Sequence, residues 1–369
     1  MSPDKGLEPW KRRVKRIPLY IIFIGAVLVG IVGSVGVLRE WRHHFSQQSN
    51  VQPVPTGKTI PSSQGHLYTP SVPNGSPSPF LFGTNLRLFD GNDQVLTSKN
   101  TRITMQLLHV RIVRLPIHRG LSDDLVLEAA QDIKNINAVP LVALEGAQQP
   151  GMALNDDLQV VRDMNQIFGK SLVYYEFGNE DDNNGVSIDQ YTAAWNTIVP
   201  QLKKVALKAN FIGPVSYQYN HDTVATFLQH ASPRPDEISW HEYTCSATSA
   251  ESDCLNAITN WSTHISDARA SMQSLLGMAL PVMITSWNYT YTAHQPLQPD
   301  AKATNASFVS NWTSKALHTL ADNHVFASMQ YSVTDTSLPL IARDTTLTTM
   351  GTTFQSLYLQ MISGNEFNG

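Results

Sequence analysis

The chain is poor in most of the residues that would announce a function outright. It has two cysteines, Cys245 and Cys254, in 369 residues. That is too few for a disulfide scaffold. Charged residues make up 15% and the net charge is −4. No basic stripe lies beyond the N-terminal flank, which argues against nucleic acid as a partner. Glycine-rich phosphate turns, Walker sequences, zinc spacings and EF-hand loops are all missing. Neither a metal nor an organic cofactor is therefore expected, and no internal repeat points to a solenoid. The sequence does not reveal an oligomeric state.

What is present begins with an uncharged run from Ile17 to Leu38. At about 1.5 Å per residue, a helix of that length crosses a hydrocarbon core of about 30 Å. Lys11, Arg12, Arg13, Lys15 and Arg16 precede it. Residues 1–16 are thus expected to be a basic cytoplasmic tail, 17–38 a transmembrane helix, and the remainder extracellular at the cell membrane. A cleaved signal peptide competes with this reading, but its apolar region is typically about 7–15 residues long and ends in a small-residue site that is not evident here. Residues 39–79 interleave proline with Ser, Gln and Gly and read as an extended tether. From Phe80 the apolar residues become dense and regular. Residues 80–369, about 290 in all, suffice for one large core. Outside the membrane, Cys245 and Cys254 flank a short polar segment and are expected to form a disulfide; two unrelated buried thiols are the alternative.

Within 80–369, β-rich apolar runs alternate with segments of helical period. The runs are 80–88, 110–116, 139–144, 172–177, 211–216, 237–243, 281–287 and 325–333. The helical segments are 121–135, 154–168, 188–208, 223–230, 257–276, 305–323 and 349–363, with a weaker one at 98–108 in the first crossover. Alternation of this kind implies parallel strands and crossover helices, and eight units fit a (β/α)₈ barrel of the α/β class. A doubly wound open sheet is the alternative. It would want a glycine-rich turn after the first strand, and Gly83-Thr84-Asn85 does not supply one. Chemistry in such a barrel sits at the C-terminal strand ends. Polar residues collect there: Asn85, Arg114, Glu145, Asn179 and Glu180, His241 and Tyr243, Ser286 and Trp287, Tyr331 and Asp335.

The segment Phe177-Gly178-Asn179-Glu180 resembles the acid/base strand of the clan A glycoside hydrolases. Ile284-Thr285-Ser286-Trp287-Asn288 is similar to their nucleophile strand, particularly in the family 39 xylosidase and iduronidase branch. His241-Glu242-Tyr243, Ile112 through Pro116, and Tyr331 through Asp335 resemble further strand ends of that clan. The resemblance spans roughly Phe80 to Ser363. It implies a carbohydrate ligand, with Glu180 as general acid/base and Asn179 hydrogen-bonding a sugar hydroxyl. It further implies that His241 and Tyr243 shape the subsite, that Arg114 faces the nucleophile position, and that Trp287 and Tyr331 stack on sugar rings. Asn85 joins this substrate-binding set.

One position departs from the pattern. Ser286 stands where the resemblance implies a nucleophilic glutamate, and a hydroxyl carries no charge to stabilise an oxocarbenium-like transition state. Three readings stay open: a carbohydrate-binding pseudoenzyme, a second carboxylate relocated to Glu145 or Asp335, or an inverting enzyme whose base activates water. Glu242 is a poor candidate, because strand alternation turns it away from the face that His241 and Tyr243 share.

Overall fold

A computed structural model describes residues 76–117, 121–148, 150–290 and 301–363. The expected tail and transmembrane helix lie outside these residues, as does nearly all of the tether. Among the described residues, no helix is long and apolar enough to cross a membrane.

Eight parallel strands close into a barrel in simple sequence order. They are β1 Gly83–Asn85, β2 Ile112–Pro116, β3 Val139–Ala143, β4 Val173–Glu176, β5 Ala209–Ser216, β6 Glu237–Cys245, β7 Val282–Thr290 and β8 Ala327–Gln330. Pairing of β1 with β8 completes the ring. The alternation in the sequence foretold this (β/α)₈ architecture. It also placed the main helices, found at Asp123–Asn135, Pro150–Phe168, Ile188–Val205, His221–His230, Thr259–Leu276, Ala306–Asp322 and Thr349–Tyr358. The weak first crossover holds Gln94–Thr97 and Lys99–Leu107.

Local chemistry explains the helix starts. The Ser122 side chain accepts from the Leu125 N–H. Ser187 and Gln190 form a reciprocal capping box at the start of Ile188–Val205. Two apolar layers hold the barrel. Ile112, Leu141, Tyr174, Ile212, Met283 and Met329 fill its interior. The far larger cluster lies between strands and helices. Strand parity sorts residues between the two, so Ile284 faces the helices while Met283 faces the axis.

Strand lengths differ from the sequence expectation in β1, β6 and β7. β1 is short because residues Pro79–Leu81 form a 3₁₀ turn under the barrel, capped by Ser78, whose side chain accepts from the Phe80 N–H. Ser78 and Pro79, placed in the tether on composition, already belong to the folded base. β6 and β7 run longer than expected. The Cys245–Cys254 disulfide is formed and ties the end of β6 to the helix Glu251–Ala257.

Candidate active site

Two loops at the C-terminal end of the barrel bring the central residues together. After β4 the chain turns through Gly178, with φ of 92°. After β3 it turns through Gly146, with φ of 72°. A Cβ on Gly146 would lie 2.3 Å from the Gly178 Cα, and one on Gly178 would lie 2.6 Å from an Asp181 carboxylate oxygen. Only glycine fits at either position. The close approach sets Glu145, which precedes Gly146, beside the turn that presents Asn179 and Glu180.

Two buried acids fix the β3 loop. Asp157 Oδ1 accepts from the Glu145 N–H at 2.9 Å, and Asp181 Oδ2 accepts from the Ala147 N–H at 2.9 Å. The Gln148 side chain donates to Asp181 Oδ1 at 3.1 Å. Burial raises the pKa of both acids, that of Asp157 to about 7.

Glu180 adopts a left-handed backbone, φ 51°, that non-glycine residues seldom take. Its N–H donates to the Val215 carbonyl at 3.0 Å, which pins the turn against β5. The side chain is 8% exposed. Its Oε1 lies 2.7 Å from Nδ1 of His241, which is fully enclosed. With the proton on Nδ1, His241 donates to the carboxylate and fixes its orientation.

His241 and Tyr243 point inward from the same face of β6, and the Tyr243 hydroxyl lies 2.7 Å from Ser286 Oγ. The Tyr243 ring also stacks on Tyr217 at 5.8 Å. Ser286 is 2% exposed and pairs in register with His241. The position implied for the nucleophile thus holds a neutral Tyr–Ser pair.

Arg114 projects from β2 and forms an ion pair with Glu176, the last residue of β4, which is 0% exposed. Its Nη1 donates to Asn85 Oδ1 at 3.2 Å and its Nη2 to Asn179 Oδ1 at 2.7 Å. The Asn179 carbonyl oxygen is therefore engaged, which leaves its amide N–H₂ to donate to a ligand. Glu176 did not stand out in the sequence. Its parity with the inward-facing Tyr174 was the available signal.

These side chains line a cavity of about 340 Å³. Arg114, Glu145, Asn179, Glu180, His241, Tyr243, Ser286 and Tyr331 all reach it. Arg87, Phe89, Gln148 and Asn184 line it too, and none of them stood out in the sequence, because nothing local marks a loop residue as cavity-facing. Burial raises the Tyr331 pKa to about 12, so its hydroxyl stays a proton donor. Among the described residues the carboxylates lining the cavity are Glu145 and Glu180.

Three sequence expectations need correction. Trp287 is 0% exposed and packs on Trp261 and Trp312 in the helix layer, not against the cavity. An irregularity in β7 between Ile284 and Trp287 shifts parity by one, turning Ser286 inward and Trp287 outward. Asn85 lies beneath the cavity, donating to the carbonyls of Thr285 and Met329 at 3.2 and 3.1 Å, and so braces β1 against β7 and β8. Asp335 accepts from the Gln94 N–H at 2.8 Å and does not line the cavity. Glu242 turns outward as alternation required, its Oε1 accepting from Trp240 Nε1 at 2.7 Å and lying 2.8 Å from His264 Nδ1.

No protein-family model matches this sequence, and no curated protein does either. Solved structures do match its fold. The GH51 arabinofuranosidase of Xanthomonas axonopodis pv. citri is 15% identical, with a TM-score of 0.57 over 77% of this chain and 73% of that one. A monomeric β-xylosidase from Caulobacter crescentus CB15 is 12% identical, with a TM-score of 0.57 over 77% and 69%. The α-L-arabinofuranosidase of Thermotoga maritima is 15% identical, with a TM-score of 0.58 over 76% and 70%. At such identities the likeness establishes a glycoside-hydrolase-like fold and nothing finer.

Proposed function

We propose that this chain is a membrane-anchored, extracellular glycoside-hydrolase-like protein acting on O-glycosidic bonds, with Glu180 as the general acid/base. One observation carries the reading: Glu180 lines a cavity at the catalytic end of the barrel, oriented by His241 at 2.7 Å. A carboxyl group so placed protonates the leaving-group oxygen as the glycosidic bond breaks. Asn179 offers its amide to a sugar hydroxyl, and Tyr331 offers a hydroxyl that stays protonated. Charge at the reacting carbon needs a second carboxylate. Glu145 is the other carboxylate lining the cavity among the described residues, and to it falls the part of activating water or balancing that charge.

A second reading has its own support. Tyr243 and Ser286 form a neutral pair where the family resemblance implies a nucleophile. Under that reading the cavity binds carbohydrate without cleaving it.

The test is hydrolysis of a panel of aryl glycosides by the full chain, beside glycan binding. Turnover that is lost in both Glu180→Gln and Glu145→Gln supports the relocated carboxylate. Glycan binding without turnover supports the second reading. In that case Ser286→Glu is expected to raise hydrolysis of an activated glycoside above the parent, and adding Glu180→Gln to abolish the gain when the leaving group needs protonation. Turnover that survives Glu180→Gln on such a substrate refutes the assigned role.

A further inference from the structure

We infer that the β1 side of the cavity recognises an acidic sugar, through the guanidinium group of Arg87. The inference rests on the carbohydrate reading of the site and adds a substrate class to it. Two guanidinium groups line the cavity, those of Arg87 and Arg114. They differ in what they already hold. Arg114 is paired with Glu176 and donates to Asn85 and Asn179, so its charge and most of its donors are committed.

Arg87 makes no hydrogen bond and no ion pair among the described residues, and its Nε–H is shielded from solvent without an acceptor. Asp93, an acid on which the Arg87 charge acts, is itself committed. Asp93 accepts from the N–H groups of Leu88 at 3.0 Å and Val95 at 2.8 Å, and so does not neutralise Arg87 by contact.

The guanidinium is nevertheless held in place. Its central carbon lies 4.9 Å from the centroid of the Phe89 ring, and Phe89 is 41% exposed on the cavity rim. A guanidinium braced on an aromatic face, with unused parallel N–H groups, matches a carboxylate or sulfate, which accepts two bonds at once. A sugar hydroxyl accepts less and leaves the charge unbalanced. A shielded N–H without an acceptor is unfavourable until a ligand supplies one. Arg87 lies in the loop after β1 and Glu180 in the loop after β4, with β2 and β3 between those strands, so the bound anion would sit away from the proton donor. Uronates and sulfated sugars share this chemistry.

The test uses full-length chain in detergent and a panel of oligosaccharides bearing both uronate and sulfate. Each is supplied also in carboxyl-reduced form, in desulfated form, and in a neutral form lacking both groups. Calorimetry is expected to show binding at least about ten-fold tighter with an anionic group present, weakening as salt is raised. The single removal that abolishes the preference tells uronate from sulfate. In Arg87→Gln the ratio of acidic to neutral affinity is expected to collapse toward one. Equal binding of all forms by the parent overturns the inference and leaves the carbohydrate reading standing. So does an acidic preference that persists undiminished in Arg87→Gln. Failure of the whole panel, neutral forms included, overturns both.

Discussion

Asp157→Asn is expected to flatten the dependence of stability on pH between about pH 4 and pH 7. Asp157 is fully buried on the helix Pro150–Phe168, and one of its oxygens, Oδ2, has no partner. Burial is the largest influence on it and raises its pKa from 3.8 to about 7. Hydrogen bonds from the backbone of Glu145 and Gly146 oppose the rise, and the charges of Glu145 and Asp156 add to it.

Between those two values the folded chain holds a proton that the unfolded chain has released. Stability is therefore fully present below the unfolded pKa and falls as pH rises through the folded one, then levels off. At about 1.4 kcal/mol per pH unit over about three units, the loss is about 4 kcal/mol. Asn keeps the acceptor for the Glu145 N–H and does not titrate. Its new amide N–H₂ meets the spot where Oδ2 is unpartnered, a penalty of about 1–3 kcal/mol that does not vary with pH.

The diagnostic is thus the slope and not the offset. Relative to the parent, the variant should gain about 4 kcal/mol in going from pH 4 to pH 8. In a domain of this size that is a differential melting shift on the order of 10 °C. Thermal unfolding of parent and variant at unit pH steps, followed by tryptophan fluorescence, measures it. Other acids raised by burial, Glu237 among them at about 8, contribute equally to both proteins and cancel. Parallel curves for the two proteins would refute the reasoning.

Arg114→Met should destabilise the domain by about 3–5 kcal/mol, because it leaves Glu176 charged and enclosed, and Arg114→Met/Glu176→Leu should recover most of that; chemical unfolding of both measures it, and a single variant as stable as the parent contradicts the assignment. Reduction of the Cys245–Cys254 disulfide, or its replacement by two alanines, should lower stability by about 2–3 kcal/mol, read as a shift in denaturant midpoint. Full-length chain is expected to sediment with membranes and to keep its N-terminus; a mature protein that begins beyond Leu38 would replace the anchor with a cleaved signal peptide.

The barrel was legible in the sequence because its signals are local. Strand and helix differ in apolar period, and Ser122 and Ser187 mark helix starts with their own side chains. Parity within β6 placed His241 and Tyr243 on one face and Glu242 on the other without any tertiary information. Two cysteines admit a single pairing, so the partners were legible, while the bond itself was decided against two separate thiols by the structure. What the sequence could not reveal depended on contacts between distant segments. One extra residue in β7 inverts parity after Ile284, so Trp287 enters the helix layer and Ser286 the cavity. Arg114 proved to be spent on Glu176, and Arg87 to be unspent, because each depends on which strand ends meet at the barrel mouth. The nearness of Glu145 to the Glu180 turn follows from two glycines, Gly146 and Gly178, packed backbone to backbone across neighbouring loops. No local pattern encodes that contact, since it exists only once the β3 and β4 loops lie side by side.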